Sequence, residues 1–258
     1  MEQEYKDIIK FLKEELGDCP AVIGISGGKD STVVAKLLCN AIGNDKVLGV
    51  LMPNGIQSDL DDSIEVCSLL DIRYTTVNIG DTYDQILKDL MPIGHYFPRD
   101  KHAQVDQNGV YVYQISDKAM TNIAPRIRMT CLYAIAQSVG ARVIGTGNAS
   151  ERFIGWFTKW GDGACDINPI AHLTCTEVIA LGDYLGLPNH LVHKAPADGL
   201  TGKSDEDNFG FTYEELDSAL RGLDEGLCLF ENIDPKFQKL YKESRHKFAS
   251  KIMEDLYD

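Results

Sequence analysis

The chain has 258 residues, and its 25 Lys and Arg against 39 Asp and Glu leave a formal net charge of -14. That balance disfavours a nucleic-acid substrate, because a strongly acidic protein repels a polyanion at long range unless its basic residues cluster. Seven cysteines form no CxxC pair or regular framework, and no apolar stretch is long enough to span a membrane, so the expected setting is a reducing cytoplasm with no membrane partner.

The first residues, MEQEYKDIIKFLKEELGD, carry Tyr5, Ile8, Ile9, Leu12 and Leu16 at helical spacing and lack the apolar core of a signal peptide. VIGIS, starting at Val22, then reads as a short all-apolar strand of the kind buried on both faces of a parallel sheet. A helix is expected from about Lys29 to Ile42, stopped by Gly43-Asn44. Strand and helix then alternate: Val47 to Pro53, Asp59 to Leu70, Tyr74 to Ile79, and Asp81 to about Leu90. Residues 94 to 114 are irregular and polar and read as a loop with room for a small hairpin. Pro125 suits the first turn of a long helix carrying Ile127, Cys131, Leu132, Ile135 and Val139, and Ala141 to Gly147 makes a fourth strand. The order predicts an α/β fold, an open parallel sheet with helices on both faces, in a single domain over 1–258 with a C-terminal helical elaboration.

In such a sheet ligands bind beyond the carboxyl ends of the strands. Three polar clusters fall there: SGGKDS at 26 to 31, PNGIQSDLDD at 53 to 62 and TGNASER at 146 to 152. In SGGKDS, Gly27 and Gly28 let the backbone approach a ligand and aim successive N–H groups into one concavity, beside the positive end of a new helix. Ser26 and Ser31 add hydroxyl donors and Lys29 a point charge. Asp30 is out of place in an anion site unless it holds a cation there, as a divalent metal bridging to phosphate would require. The spacing is not that of GxxxxGK[ST], since Ile23 stands five residues before Gly28. A plain glycine-rich turn with an Asp cap is the structural alternative.

SGGKDS after a first parallel strand resembles the pyrophosphate loop of the ATP pyrophosphatases, a superfamily that cleaves ATP between its α and β phosphates. NIAPRIRM (122 to 129), GTGNASER (145 to 152), GWFTKWGDGACDINPI (155 to 170) and SDEDNFGFTYEELD (204 to 217) narrow the resemblance to the NAD synthetases. The resemblance implies a Rossmann-like, adenine nucleotide alpha hydrolase-like fold and the ATP-dependent amidation of nicotinic acid adenine dinucleotide, deamido-NAD, through an acyl-adenylate. It also implies Mg2+, a homodimer, and release of AMP and pyrophosphate.

By the same resemblance, Gly24, Ile25, Ser26, Gly27, Gly28, Lys29, Asp30, Ser31 and Thr146 contact ATP, with Lys29 and Asp30 as catalytic groups. Asp30 and Glu151 become the Mg2+ ligands. Arg126, Lys159, Asp166, His246 and Lys247 become contacts to deamido-NAD, while Arg128 is read as structural. Trp156, Phe157 and Trp160 are either stacking surfaces or core.

Two departures stand out. Cys175 occupies the place of the family's ATP-contacting Lys, and Ala197 that of a Ser or Thr. Either Lys203 or Lys29 is expected to carry the missing charge. Only some twenty residues precede the first strand, which leaves no room in this sequence for an amidase unit and makes ammonia the expected nitrogen donor. His95, His102, His172, His190 and His193 show no ligand spacing with the cysteines. A nucleotide sensor without turnover and a tRNA-modifying relative remain as alternatives at this point.

Overall fold

The computed structural model describes residues 1–56, 60–90, 103–105, 111–113, 115–194 and 205–248. In chain order the elements are α1 (Glu2–Leu16), β1 (Ala21–Gly24), α2 (Lys29–Ile42), β2 (Val47–Leu51), α3 (Leu60–Leu69), β3 (Arg73–Thr76) and α4 (Gly80–Leu90). They continue with β4 (Ala103–Val105), β5 (Tyr111–Tyr113), α5 (Asp117–Thr121), α6 (Ile123–Val139), β6 (Arg142–Ile144) and α7 (Ala149–Ile154). The last are α8 (Cys175–Tyr184), α9 (Asn189–Val192), α10 (Asp205–Phe209), α11 (Tyr213–Asp224) and α12 (Pro235–Ser244).

β1, β2, β3 and β6 form one parallel sheet in the order β3-β2-β1-β6. Successive side chains of a strand point to opposite faces, and here each face has its own apolar layer. Ala21 and Ile23 of β1, Val47 and Leu51 of β2 and Ile144 of β6 face a core completed by α1, α2, α3, α8 and α9. Val22, Val50 and Val143 face the other way, onto α6. Helices therefore cover both faces, and the near-continuous apolar runs of β1 and β2 are the consequence.

β3 departs from the expected bounds. The pairing ladder covers Arg73–Thr76 rather than Tyr74 to Ile79, and its four residues are exposed, as an edge strand with one bonded neighbour. The expected continuation still bonds to the end of β2, because Val77 and Ile79 donate their N–H groups to the Leu51 and Pro53 carbonyls. Within the polar stretch at 94 to 114, β4 and β5 pair as an antiparallel ribbon; the rest of that stretch lies outside the described residues.

A second apolar cluster joins Ile154, Cys175, Phe211, Tyr213, Leu216, Leu220, Ile233 and Phe237. It is the C-terminal helical elaboration, in which α7, α8, α11 and α12 pack on one another. One buried carboxylate ties it to the sheet end. Asp217 on α11 accepts from Ser150 Oγ on α7, and it accepts from Thr176 N at the start of α8 at 2.7 Å. Ser150 Oγ in turn accepts from Cys175 N at 2.9 Å.

The chain leaves β1 toward β2 on one side and reaches β6 on the other, so the strand order reverses at β1 and β6. Crevices open at such reversal points. SGGKDS leaves β1 and TGNASER leaves β6 at the same end of the sheet.

Candidate active site

The turn after β1 takes its shape from glycine. Gly27 has φ +75°, the left-handed region that glycine enters without a Cβ penalty. Gly28 then caps α2 with an extended backbone and no side-chain cap. The first N–H groups of α2 have no acceptor from a capping side chain, which leaves a helix N-terminus with its donors and positive dipole end open to an anion. Around it, Gly28 N donates to Ser26 Oγ at 3.3 Å, the Ser26 and Ser31 hydroxyls lie 3.1 Å apart, and Ser31 and Thr32 donate to the Gly28 carbonyl.

Lys29 is only 4% exposed, and its Nζ sits 2.8 Å from Asp30 Oδ2. Burial by itself would lower its pKa, but the neighbouring carboxylates, Asp30 first, override that and hold it well above the ordinary lysine value. It is a fixed positive charge at the loop. Asp30 Oδ1 accepts from Asn148 Nδ2 at 3.1 Å, which draws the loop after β6 against the loop after β1.

Glu151 begins α7 in a capping box, with its N–H donating to Asn148 Oδ1 and its Oε2 accepting from Asn148 N, each at 3.0 Å. Burial, and then the charge of Asp30, push its pKa up to about 8. Asp30 is thus close enough for its charge to oppose the ionisation of Glu151, an arrangement that a divalent cation relieves. Among the described residues no group of three or more His, Cys, Asp or Glu could cage a metal. A pair of carboxylates beside a phosphate cradle is the donor set that suits Mg2+, which keeps waters and phosphate oxygens in its shell. The residues present fit that ion.

These groups open onto a cavity of about 830 Å³ between the sheet end and the C-terminal helices. Gly24, Ile25, Ser26, Gly28, Lys29, Asp30 and Ser31 line it, as do Thr146, Glu151, His246 and Lys247. Gly27, Arg126, Lys159 and Asp166 do not. Arg126 is exposed and donates through Nε to the Lys159 carbonyl at 3.2 Å. Lys159 Nζ donates to the His246 carbonyl at 2.6 Å and lies 5.1 Å from the centre of the exposed Trp160 ring. Asp166 accepts the β6 amide of Val143 at 2.8 Å and the Tyr133 hydroxyl at 3.4 Å, a role in holding the sheet edge. Lys247 Nζ donates to the Gly155 and Phe157 carbonyls at 2.6 and 2.8 Å, strapping the one-turn helix at Arg245–Lys247 to the end of α7. Of the aromatic trio, Trp156 and Phe157 line the cavity, whereas Trp160 stands outside it at φ +60°.

The sequence reading gave no site role to two residues on this wall, Arg128 and Asp162, nor to the fully buried Asn148. Arg128 lines the cavity, its Nε donating to the Met52 carbonyl at 3.0 Å and its pKa lowered by burial. Asp162, also on the wall, accepts from Thr158 N at 2.9 Å, and burial raises its pKa. Asn148 had a local signal, since Asn followed three residues later by Glu is a capping-box pattern.

Cys175 is 2% exposed at the first turn of α8 and belongs to the second apolar cluster. Burial pushes its thiol up to about 12, so it stays neutral beside Lys29. Lys29 supplies the fixed charge at this point; Lys203 and Ala197 lie outside the described residues. His172, His190 and His193 pair with Glu4, Glu65 and Asp183 on the surface, away from any metal cluster among the described residues.

Residues 4–250 match the family described as NAD synthase. The chain belongs to that family. The NH(3)-dependent NAD(+) synthetase of Pyrococcus furiosus is 37% identical over 251 residues, covering 93% of this chain and 89% of the relative. That of Alkaliphilus metalliredigens is 41% identical over 220 residues, covering 83% and 84%. Among solved structures, the NMN synthetase from Francisella tularensis superposes with a TM-score of 0.80 at 30% identity, covering 98% and 97% of the two chains. The NH3-dependent NAD synthetase from Campylobacter jejuni does so at 0.75 and 26%, covering 98% and 99%. The overall fold of this NAD synthase family member is thus shared with solved NMN and NAD synthetases.

Proposed function

We propose that this protein is an ammonia-dependent NAD synthetase, amidating deamido-NAD to NAD with ATP through an acyl-adenylate. The observation that carries the reading is the pairing of an uncapped α2 N-terminus with the Asp30 and Glu151 carboxylates at the strand-order reversal. A carboxylate is a poor electrophile, and ammonia cannot displace oxide from it. Transfer of AMP onto the nicotinate oxygen supplies a far better leaving group, and pyrophosphate departs in that step.

Each group then has a task. The α2 amides, Ser26 and Ser31 receive the departing phosphates, and Lys29 offsets their charge. Asp30 and Glu151 would hold Mg2+, which supplies charge neutralisation across phosphate oxygens when bound. The cavity wall of Trp156, Phe157 and Thr158 shields the adenylate from water, and His246 and Lys247 extend that wall. Arg126, Lys159 and Asp166 lie outside the cavity, so their assignment to deamido-NAD rests on the family resemblance. The chain reads as one domain, and the curated relatives of similar length that bear the ammonia-dependent name support free ammonia as donor.

A homodimer in the cytoplasm belongs to the same reading. Its support is apolar surface left open at the β3 edge of the sheet, where Leu69 and Tyr74 are exposed and no residue of α4 is fully buried. Sedimentation at twice the 28.6 kDa chain mass is the expected result, and a monomer at micromolar concentration would reject it.

The deciding assay mixes the protein with ATP, Mg2+ and deamido-NAD, with ammonium or glutamine as donor. NAD, AMP and pyrophosphate in equal amounts with ammonium, and none with glutamine alone, is the expected outcome. Nicotinic acid mononucleotide is the control substrate, given the likeness to an NMN synthetase. Faster turnover of the mononucleotide would overturn the choice of substrate, and nucleotide binding without pyrophosphate release would mark a sensor.

A further inference from the structure

Asn148 is 0% exposed, yet its side-chain carbonyl and amide both have partners. Its Oδ1 accepts from Glu151 N, and its Nδ2 donates to Asp30 Oδ1. Its own N–H donates to Glu151 Oε2. One buried residue therefore touches both carboxylates, which come from different strand ends. The orientation of the amide is forced: a backbone N–H can only donate, so Oδ1 must face Glu151, and the NH2 group must face the acceptor Asp30.

Capping alone does not need asparagine. Ser, Thr and Asp serve as well or nearly as well at an N-cap, since the helix asks only for an acceptor. What Asn adds is a donor on the opposite side of the same planar group, and here that donor reaches Asp30. Asp30 Oδ2 is meanwhile held by Lys29. Both carboxylates are thereby kept in one orientation with lone pairs left over for a cation and its waters. α7 cannot easily drift from this position, because Ser150 beside Glu151 is anchored to Asp217.

We propose that Asn148 is a positioning residue that links the α7 cap to Asp30 and so holds the Asp30 and Glu151 carboxylates in the orientation from which both can face one divalent cation. The proposal deepens the proposed function and rests on Asp30 and Glu151 being the cation ligands.

The test uses Asn148→Ser, which keeps the N-cap acceptor but lacks the amide arm that reaches Asp30, with Asn148→Thr as a second variant closer in volume. Mn2+ binding is followed by electron paramagnetic resonance in the presence of a non-hydrolysable ATP analogue. Both variants are expected to melt close to the parent protein but to bind Mn2+ about tenfold more weakly, the usual effect of removing an outer-shell partner. Unchanged Mn2+ affinity in a folded Ser or Thr variant would overturn the proposal and leave the cation reading intact. A parent protein that binds no Mn2+ with the analogue would overturn both.

Discussion

Asp30→Asn is expected to lower the turnover of NAD formation by about two orders of magnitude or more, the scale seen when a preorganised electrostatic group is removed from a reacting centre. The substitution conserves shape. The introduced side-chain amide can still accept from Asn148 Nδ2 through its carbonyl oxygen, so the contact between the two loops survives. What disappears is the charge that pairs with Lys29 and, with Glu151, makes the site fit for a divalent ion. The loss should therefore fall on kcat, with the same fold by circular dichroism but a lower thermal melt, because the buried Lys29 ammonium loses its charged partner. Turnover within threefold of the parent would mean that Asp30 only ties Lys29 and Asn148 together and has no part in the chemistry.

Asp217→Ala is expected to cost about 3 kcal/mol of stability, because a buried acceptor is removed while its donors stay behind. Asp217 is 0% exposed and receives the Ser150 hydroxyl and the Thr176 amide. Alanine leaves the buried Ser150 hydroxyl and the part-buried Thr176 amide without that acceptor and opens a small void between α7, α8 and α11. For a chain of this size that corresponds to a melting temperature lower by roughly 6 to 12 °C. Asp224→Ala, at an exposed position at the end of the same helix, is the control and should fall within about 0.5 kcal/mol. A melt for Asp217→Ala indistinguishable from that control would contradict the anchoring role.

What the sequence made legible follows from how local each signal is. β1 and α2 were readable because an apolar run buried on both faces meets SGGKDS with no spacer, and both the strand and the loop chemistry lie in consecutive residues. The proposed cation pair was half legible: Asp30 is anomalous within its own loop, whereas Glu151 comes beside it only because β6 lies next to β1. The edge position of β3 was not legible, since Arg73–Thr76 are strand-like residues whose exposure depends on which neighbour the sheet lacks.

Residues with partners far away in sequence were the hardest to read. Asp166 sits in a glycine-rich motif that suggests a ligand, yet its carboxylate receives the Val143 amide of β6. Cys175 looked like a lost charge, but it packs as a small hydrophobe against the second core with the buried Lys29 ammonium at hand. Asp217 is only the last residue of the SDEDNFGFTYEELD motif in the sequence, and its anchoring role exists because α11 closes over the starts of α7 and α8.

The central claim is that the phosphates ATP sheds lie on the glycine turn at the start of α2, joined through a divalent cation to two acids. A structure with Mg2+ and a non-hydrolysable ATP analogue tests it most directly. The account predicts the triphosphate over Gly27 and Gly28, with the ion between it and the carboxylates of Asp30 and Glu151. A triphosphate bound elsewhere in the cavity, with both carboxylates turned away from it, would contradict the account.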